Sequence, residues 1–64
     1  MYKFYNFTVT IKDEDGNLKR KFEFYHITKE RFQMELGMLR NGHLIKKEWL
    51  ERGLVSVDKE ELEE

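Results

Sequence analysis

The sequence contains no cysteine and no proline. A chain of 64 residues without thiols has neither a disulfide nor a thiolate-held zinc to brace it, the two staples on which small domains commonly rely. His26 and His43 alone offer imidazole. Neither has a His or Cys neighbour at ligand spacing, so no metal site is expected. Serine occurs once, at Ser56, inside a β-prone run and without the glycine elbow that exposes a nucleophile. The four glycines are isolated, which excludes a phosphate loop and a dinucleotide fingerprint. Asp13, Glu14 and Asp15 are adjacent, whereas a calcium loop spreads its ligands over about twelve residues. These absences make an enzyme the least favoured class, and no cofactor is expected.

Long apolar runs are missing as well. Nothing approaches the ~18 apolar residues of a membrane span, and the first residues lack the basic and apolar regions of a signal peptide. The expected compartment is the cytoplasm, with no membrane contact. A chain of this length makes one domain, which buries only about 60% of the surface its unfolded form exposes.

Aromatic side chains are plentiful instead. With Phe 5, Tyr 3 and Trp 1, most of them fall between Tyr2 and Tyr25, so the first half supplies the wall of the core. Charged residues make up 39% of the chain, against a typical quarter. The net charge of −1 hides an asymmetry: the acids crowd the segment from Asp58 to Glu64 and leave a mildly basic remainder. The expected organisation is a single α+β domain over residues 1–57 and a solvated acidic tail over 58–64.

The order of elements follows from the pattern. Tyr5, Phe7, Val9 and Ile11 alternate with Asn6, Thr8, Thr10 and Lys12, as in a half-buried strand. Asp13 to Asn17 reads as a turn, with Asp15 and Gly16 at the centre of a type I′ hairpin. That choice pairs Val9 with Phe22 and Phe7 with Phe24, and sets Thr8 against Glu23 and Thr10 against Lys21 on the other face. A helix is expected from Ile27 to Asn41. Thr28 is its N-cap, Ile27 staples onto Phe32, and Phe32, Leu36 and Leu39 form its inner stripe. Asn41 and Gly42 are its expected left-handed stop. Leu44 to Arg52 reads as a short second helix closed by Gly53, with a strand as the competing reading. Leu54 to Val57 is an expected third strand on one edge of the hairpin. The predicted architecture is ββααβ.

Two binding classes remain. Tyr2, Phe4, Tyr25, Trp49, Met34 and Met38 are too many to fit beneath one short helix, and a short sheet leaves a free edge, so the favoured expectation is a non-catalytic module that binds another protein. Met34 and Met38 widening the core face is the competing reading. Gly37 within a helix costs about 1 kcal/mol relative to Ala unless something lies against its backbone. The alternative is nucleic-acid binding on the reverse face of the hairpin, where Lys12, Lys19, Arg20 and Lys21 are expected beside Tyr25. A structural homo-oligomer is the third reading.

The strand from Tyr5 to Ile11, the acidic turn from Asp13 to Gly16, the second strand with Glu23, and the helix in which Phe32 precedes Gly37 together resemble the small uracil-DNA glycosylase inhibitors of phi29-like Bacillus phages. The resemblance covers roughly residues 5 to 50. It implies a homodimer that imitates DNA, blocks the cleft of a host enzyme and takes up an apolar finger at the dimer interface. Glu23, Phe32 and Leu36 would be the positions carried over, and Tyr25, Met38 and Trp49 complete the expected protein interface. It also implies an acidic surface, which the sequence supplies only near its end.

Overall fold

The computed structural model describes residues 3–63, so Tyr2 and Glu64 lie outside the described residues. Strands β1 (Tyr5–Lys12) and β2 (Leu18–Ile27) are followed by helices α1 (Lys29–Asn41) and α2 (Lys47–Glu51) and by strand β3 (Val55–Glu61). The sheet order is β2-β1-β3, with both pairings antiparallel. The α+β class and the ββααβ order are those the pattern predicts.

The alternation in β1 decides which side is core. Tyr5, Phe7, Val9 and Ile11 are all buried, because β1 is the central strand and the helices cover that face. The expected register also forms: Val9 opposes Phe22, Phe7 opposes Phe24 and Thr8 opposes Glu23. The turn chemistry differs from the type I′ expectation. Only Gly16 takes a positive φ, of 86°, while its N–H donates to the Asp13 carbonyl at 3.0 Å. The Asp13 carboxylate accepts from the Asp15 and Asn17 N–H groups at 3.0 and 2.9 Å, which stabilises a three-residue loop over a two-residue one. The longer loop absorbs one residue, and the register shifts between Ile11 and Lys12.

Helix α1 begins as expected. The Thr28 hydroxyl accepts from the Arg31 N–H at 3.2 Å, and Ile27 packs against the cluster that contains Phe32. Its only buried residue is Phe32, whose ring stacks on Phe7 at 3.9 Å and meets Phe24 edge-on at 5.7 Å. Met34 and Met38 do not widen this face. They are 62% and 65% exposed on the outer side of the helix.

The helix stop is one residue later than expected. Asn41 is helical and Gly42 has a φ of −84°, whereas His43 is left-handed at 60°. The Leu44 N–H reaches the Leu39 carbonyl at 2.9 Å and the His43 N–H reaches that of Arg40 at 3.1 Å, the pairing of a Schellman cap. This exit delivers Ile45 into the core, where it is 1% exposed. Leu44 to Lys46 are therefore connector, and α2 is shorter than the Leu44 to Arg52 expectation. Gly53, at a φ of 72°, closes α2 as predicted, with the same pair of bonds to Trp49 and Leu50.

The largest departure concerns the acidic segment. β3 continues through Asp58, Lys59, Glu60 and Glu61, so most of the expected tail is a sheet edge. Backbone pairing with β1 outweighs the weak β-propensity of these residues, since Asn6 to Ile11 offers a full row of ladder partners. Leu62 extends the pairing by donating to the Phe4 carbonyl at 2.9 Å.

Two substitutions in α1 are expected to act in opposite directions. Phe32→Ala costs about 3–5 kcal/mol, as much as a core of this size commonly supplies, so circular dichroism should show no cooperative melt. A Cβ at Gly37 would meet nothing within 4 Å, so Gly37→Ala should add about 1 kcal/mol and raise Tm by roughly 4–8 °C. A lower Tm for Gly37→Ala would contradict an open flank at that position.

Candidate protein-binding face

Residues directly opposite one another in a sheet share a face, so the register fixes what the uncovered side displays. Thr8 lies between Glu23 of β2 and Asp58 of β3, Asn6 opposes Glu60, and Thr10 lies between Lys21 and Ser56. The amide of Asn6 donates to Glu60 at 3.0 Å. Three carboxylates, Glu23, Asp58 and Glu60, therefore stand on one surface that neither helix covers. Neighbouring strands are about 4.8 Å apart and alternate residues on a strand about 7 Å apart, which sets their spacing.

The Asn6 end of this face is aromatic. A second register shift between Tyr5 and Phe7 leaves His26 at a φ of 52°, a bulge held by its N–H donating to the Asn6 side chain at 3.0 Å. The His26 ring stacks on Phe4 with centroids 4.4 Å apart. Tyr25, 65% exposed, bends its hydroxyl to donate to Glu23, and the Lys21 ammonium approaches the same carboxylate at 3.1 Å. The Tyr25 hydroxyl, and after it Lys21, hold Glu23 below the usual carboxylate range, while that carboxylate holds the Tyr25 phenol above its ordinary value.

The expected interface residues fall into separate places. Glu23 and Tyr25 sit together on the open face. Met38 lies on the outer side of α1, and Leu36 is half-buried against the core. Phe32 is 3% exposed and occupied by Phe7 and Phe24, so it is not a surface residue of this chain. Trp49 is half-buried, with the Lys19 ammonium 4.9 Å and that of Lys46 5.5 Å from its ring centroid.

The basic face expected for nucleic acid is dispersed. The shift after Ile11 makes Lys19 the extra residue and turns it to the helical side, over Trp49. Arg20 lies 5.9 Å from the Phe22 ring on the same side. Lys12 shares a cavity with Asp13, Glu14 and Asp15, and Lys21 is paired with Glu23 beside Tyr25. Sequence reasoning missed Asp58 and Glu60 as members of the open face. The apolar alternation at Val55 and Val57 stops at Asp58, where four charged residues follow in a row, so the sequence carried no periodic signal for them.

Among the described residues, no group of three or more His, Cys, Asp or Glu side chains could hold a metal ion. Among the same residues, no helix is long and apolar enough to cross a membrane. A comparison with protein-family models, curated proteins and solved structures finds no match to this chain.

The Tyr25–Glu23 contact defines a pH window. It forms above the lowered Glu23 value, is lost as pH falls through that value, and is lost again as pH rises through the raised Tyr25 value. In a carboxyl titration by NMR, Tyr25→Phe should move Glu23 upward toward the ordinary range. Glu23→Gln should let the Tyr25 phenol ionise at lower pH. An unmoved Glu23 in the Tyr25→Phe chain would show that the hydroxyl does not set its value.

Proposed function

We propose that this chain is a small non-catalytic protein-binding module whose contact surface is the open face of the sheet, and that its partner is a host enzyme with a basic, nucleic-acid-binding cleft. The observation that carries this reading is the row of Glu23, Asp58 and Glu60 on a face no helix covers, with exposed Tyr25 beside it. Carboxylates at fixed spacing offer a cationic cleft the charges it would otherwise take from phosphates, and a bordering aromatic supplies the apolar anchor that interfaces favour. The resemblance to phage inhibitors of uracil-DNA glycosylase gives the sharpest form of the proposal. The participation of Asp58 and Glu60 in the sheet supports it, because those acids then belong to the folded surface.

The resemblance also implies a homodimer. The outer side of α1, with exposed Met34 and Met38, is the apolar surface that would meet a second copy, since Phe32 is already spent on the chain's own core.

The test is cleavage of a uracil-containing oligonucleotide by purified uracil-DNA glycosylase in the presence of the chain. Stoichiometric addition should abolish cleavage at low salt, and the combined Glu23→Gln, Asp58→Asn and Glu60→Gln chain should inhibit at least tenfold more weakly while melting as a folded protein. Full activity of the enzyme at a large excess of the chain would rule out this target. Light scattering on the free chain should give the mass of two copies, and Met38→Glu should halve it.

A further inference from the structure

The cations left out of the open face have gathered elsewhere. Ion pairs among the described residues engage Lys3, Lys21, Arg31 and Arg52. Lys19, Arg20, Arg40, Lys46 and Lys47 take part in none of them, and they line two cavities that border the turn from α1 into α2. A cavity of about 470 Å³ is lined by Arg40, Lys46 and Lys47, and a second of about 300 Å³ by Lys19, Arg20 and Trp49. His43 borders both, so the two adjoin, and together they make a basic groove. No acid lines either cavity, in a chain whose net charge is −1. Lys19 and Trp49 also border a third cavity, lined by Asp13, Glu14 and Asp15, so the basic stretch gives way to acids at the hairpin tip.

Five cations outside those ion pairs, two of them, Lys19 and Lys46, over the Trp49 ring, cost self-repulsion in the free protein, and an anionic ligand relieves it. We infer that this groove binds single-stranded nucleic acid, with its phosphates on Arg40, Lys46, Lys47, Lys19 and Arg20 and a base against Trp49. A positively charged track with an aromatic stacking point is the arrangement that holds a single strand without reading its sequence. A duplex keeps its base faces stacked and exposes only base edges in its grooves, so the aromatic contact favours the single strand. The site is distinct from the open sheet face, on which Lys21 and Tyr25 stand, and it does not depend on the protein partner proposed above.

The experiment is fluorescence anisotropy of a labelled oligo(dT) of about ten nucleotides, with the emission of Trp49, the only tryptophan, followed in parallel. Binding should quench Trp49, and with four to five phosphates neutralised the log–log salt dependence of affinity should have a slope of about −3. The combined Arg40→Gln, Lys46→Gln and Lys47→Gln chain, altered only at exposed positions, should bind at least tenfold more weakly and lose about 2 from that slope. Lys21→Gln should bind as the parent does. The proposal is overturned if the oligonucleotide is not bound at low salt, or if the triple variant binds unchanged. It is overturned equally if a duplex or polyglutamate of equal charge binds as tightly, or if the free chain self-associates at low salt through the same three cations, which would assign the groove to the acids of a second copy.

Discussion

Phe32 carries an unusual share of this fold, because it is the only buried residue of either helix. Its stack on Phe7 and its edge contact with Phe24 fasten α1 across the central and outer strands at one point. The second fastening is Ile45, which belongs to the connector and reaches the core only because the left-handed turn at His43 redirects the chain. Two side chains thus seat the whole helical layer on β1. The rest of the apolar surface of that layer, Leu36, Leu39 and Trp49, packs around these two from the rim. A chain without cysteine has no disulfide to brace it, so aromatic packing has to do what cross-links do elsewhere.

Charge follows from the same geometry. With the helices on one side of the sheet, every even-numbered position of β1 from Asn6 to Thr10 looks outward, and so do its neighbours on both flanking strands. The near-neutral total is a sum over two unlike surfaces. Acids from β2 and β3 share the open face, while cations from the bulged part of β2, the end of α1 and the start of α2 share the groove. Net charge described neither surface, because what matters for recognition is the local field.

What could be read from the residues was what depends on neighbours in sequence. The alternation of β1 predicted the buried face, and the match of Val9 with Phe22 and Phe7 with Phe24 predicted the register. Thr28 and Gly53 predicted a helix start and a helix end. Some misses turned on local hydrogen bonds that residue type does not dictate, and others required distant information. His43 and His26 adopt left-handed backbone where glycine or asparagine is the usual choice, since the surrounding hydrogen bonds impose it. The length of β3 depended on finding β1 as its partner, and the dispersal of Lys12, Lys19 and Arg20 depended on a one-residue shift in the ladder. Half of the open face was legible, as Glu23 and Tyr25, and the half contributed by β3 was not.

The position of β1 between its two partners has a kinetic side. Asn6 and Glu60, which face each other across β1 and β3, are 54 positions apart in sequence. During synthesis the hairpin is complete long before the strand that closes the other edge has been made, and a two-stranded hairpin is marginal by itself. Until β3 arrives, the buried strand of the finished molecule is an exposed edge, with the hydrogen-bonding groups of Tyr5 to Ile11 turned to solvent along that side. Closing so long a loop costs entropy that must be met before the β1–β3 contacts repay it. The same edge is the one at which two incomplete chains would pair in error, so the protein is most prone to aggregate in the interval before its last strand docks.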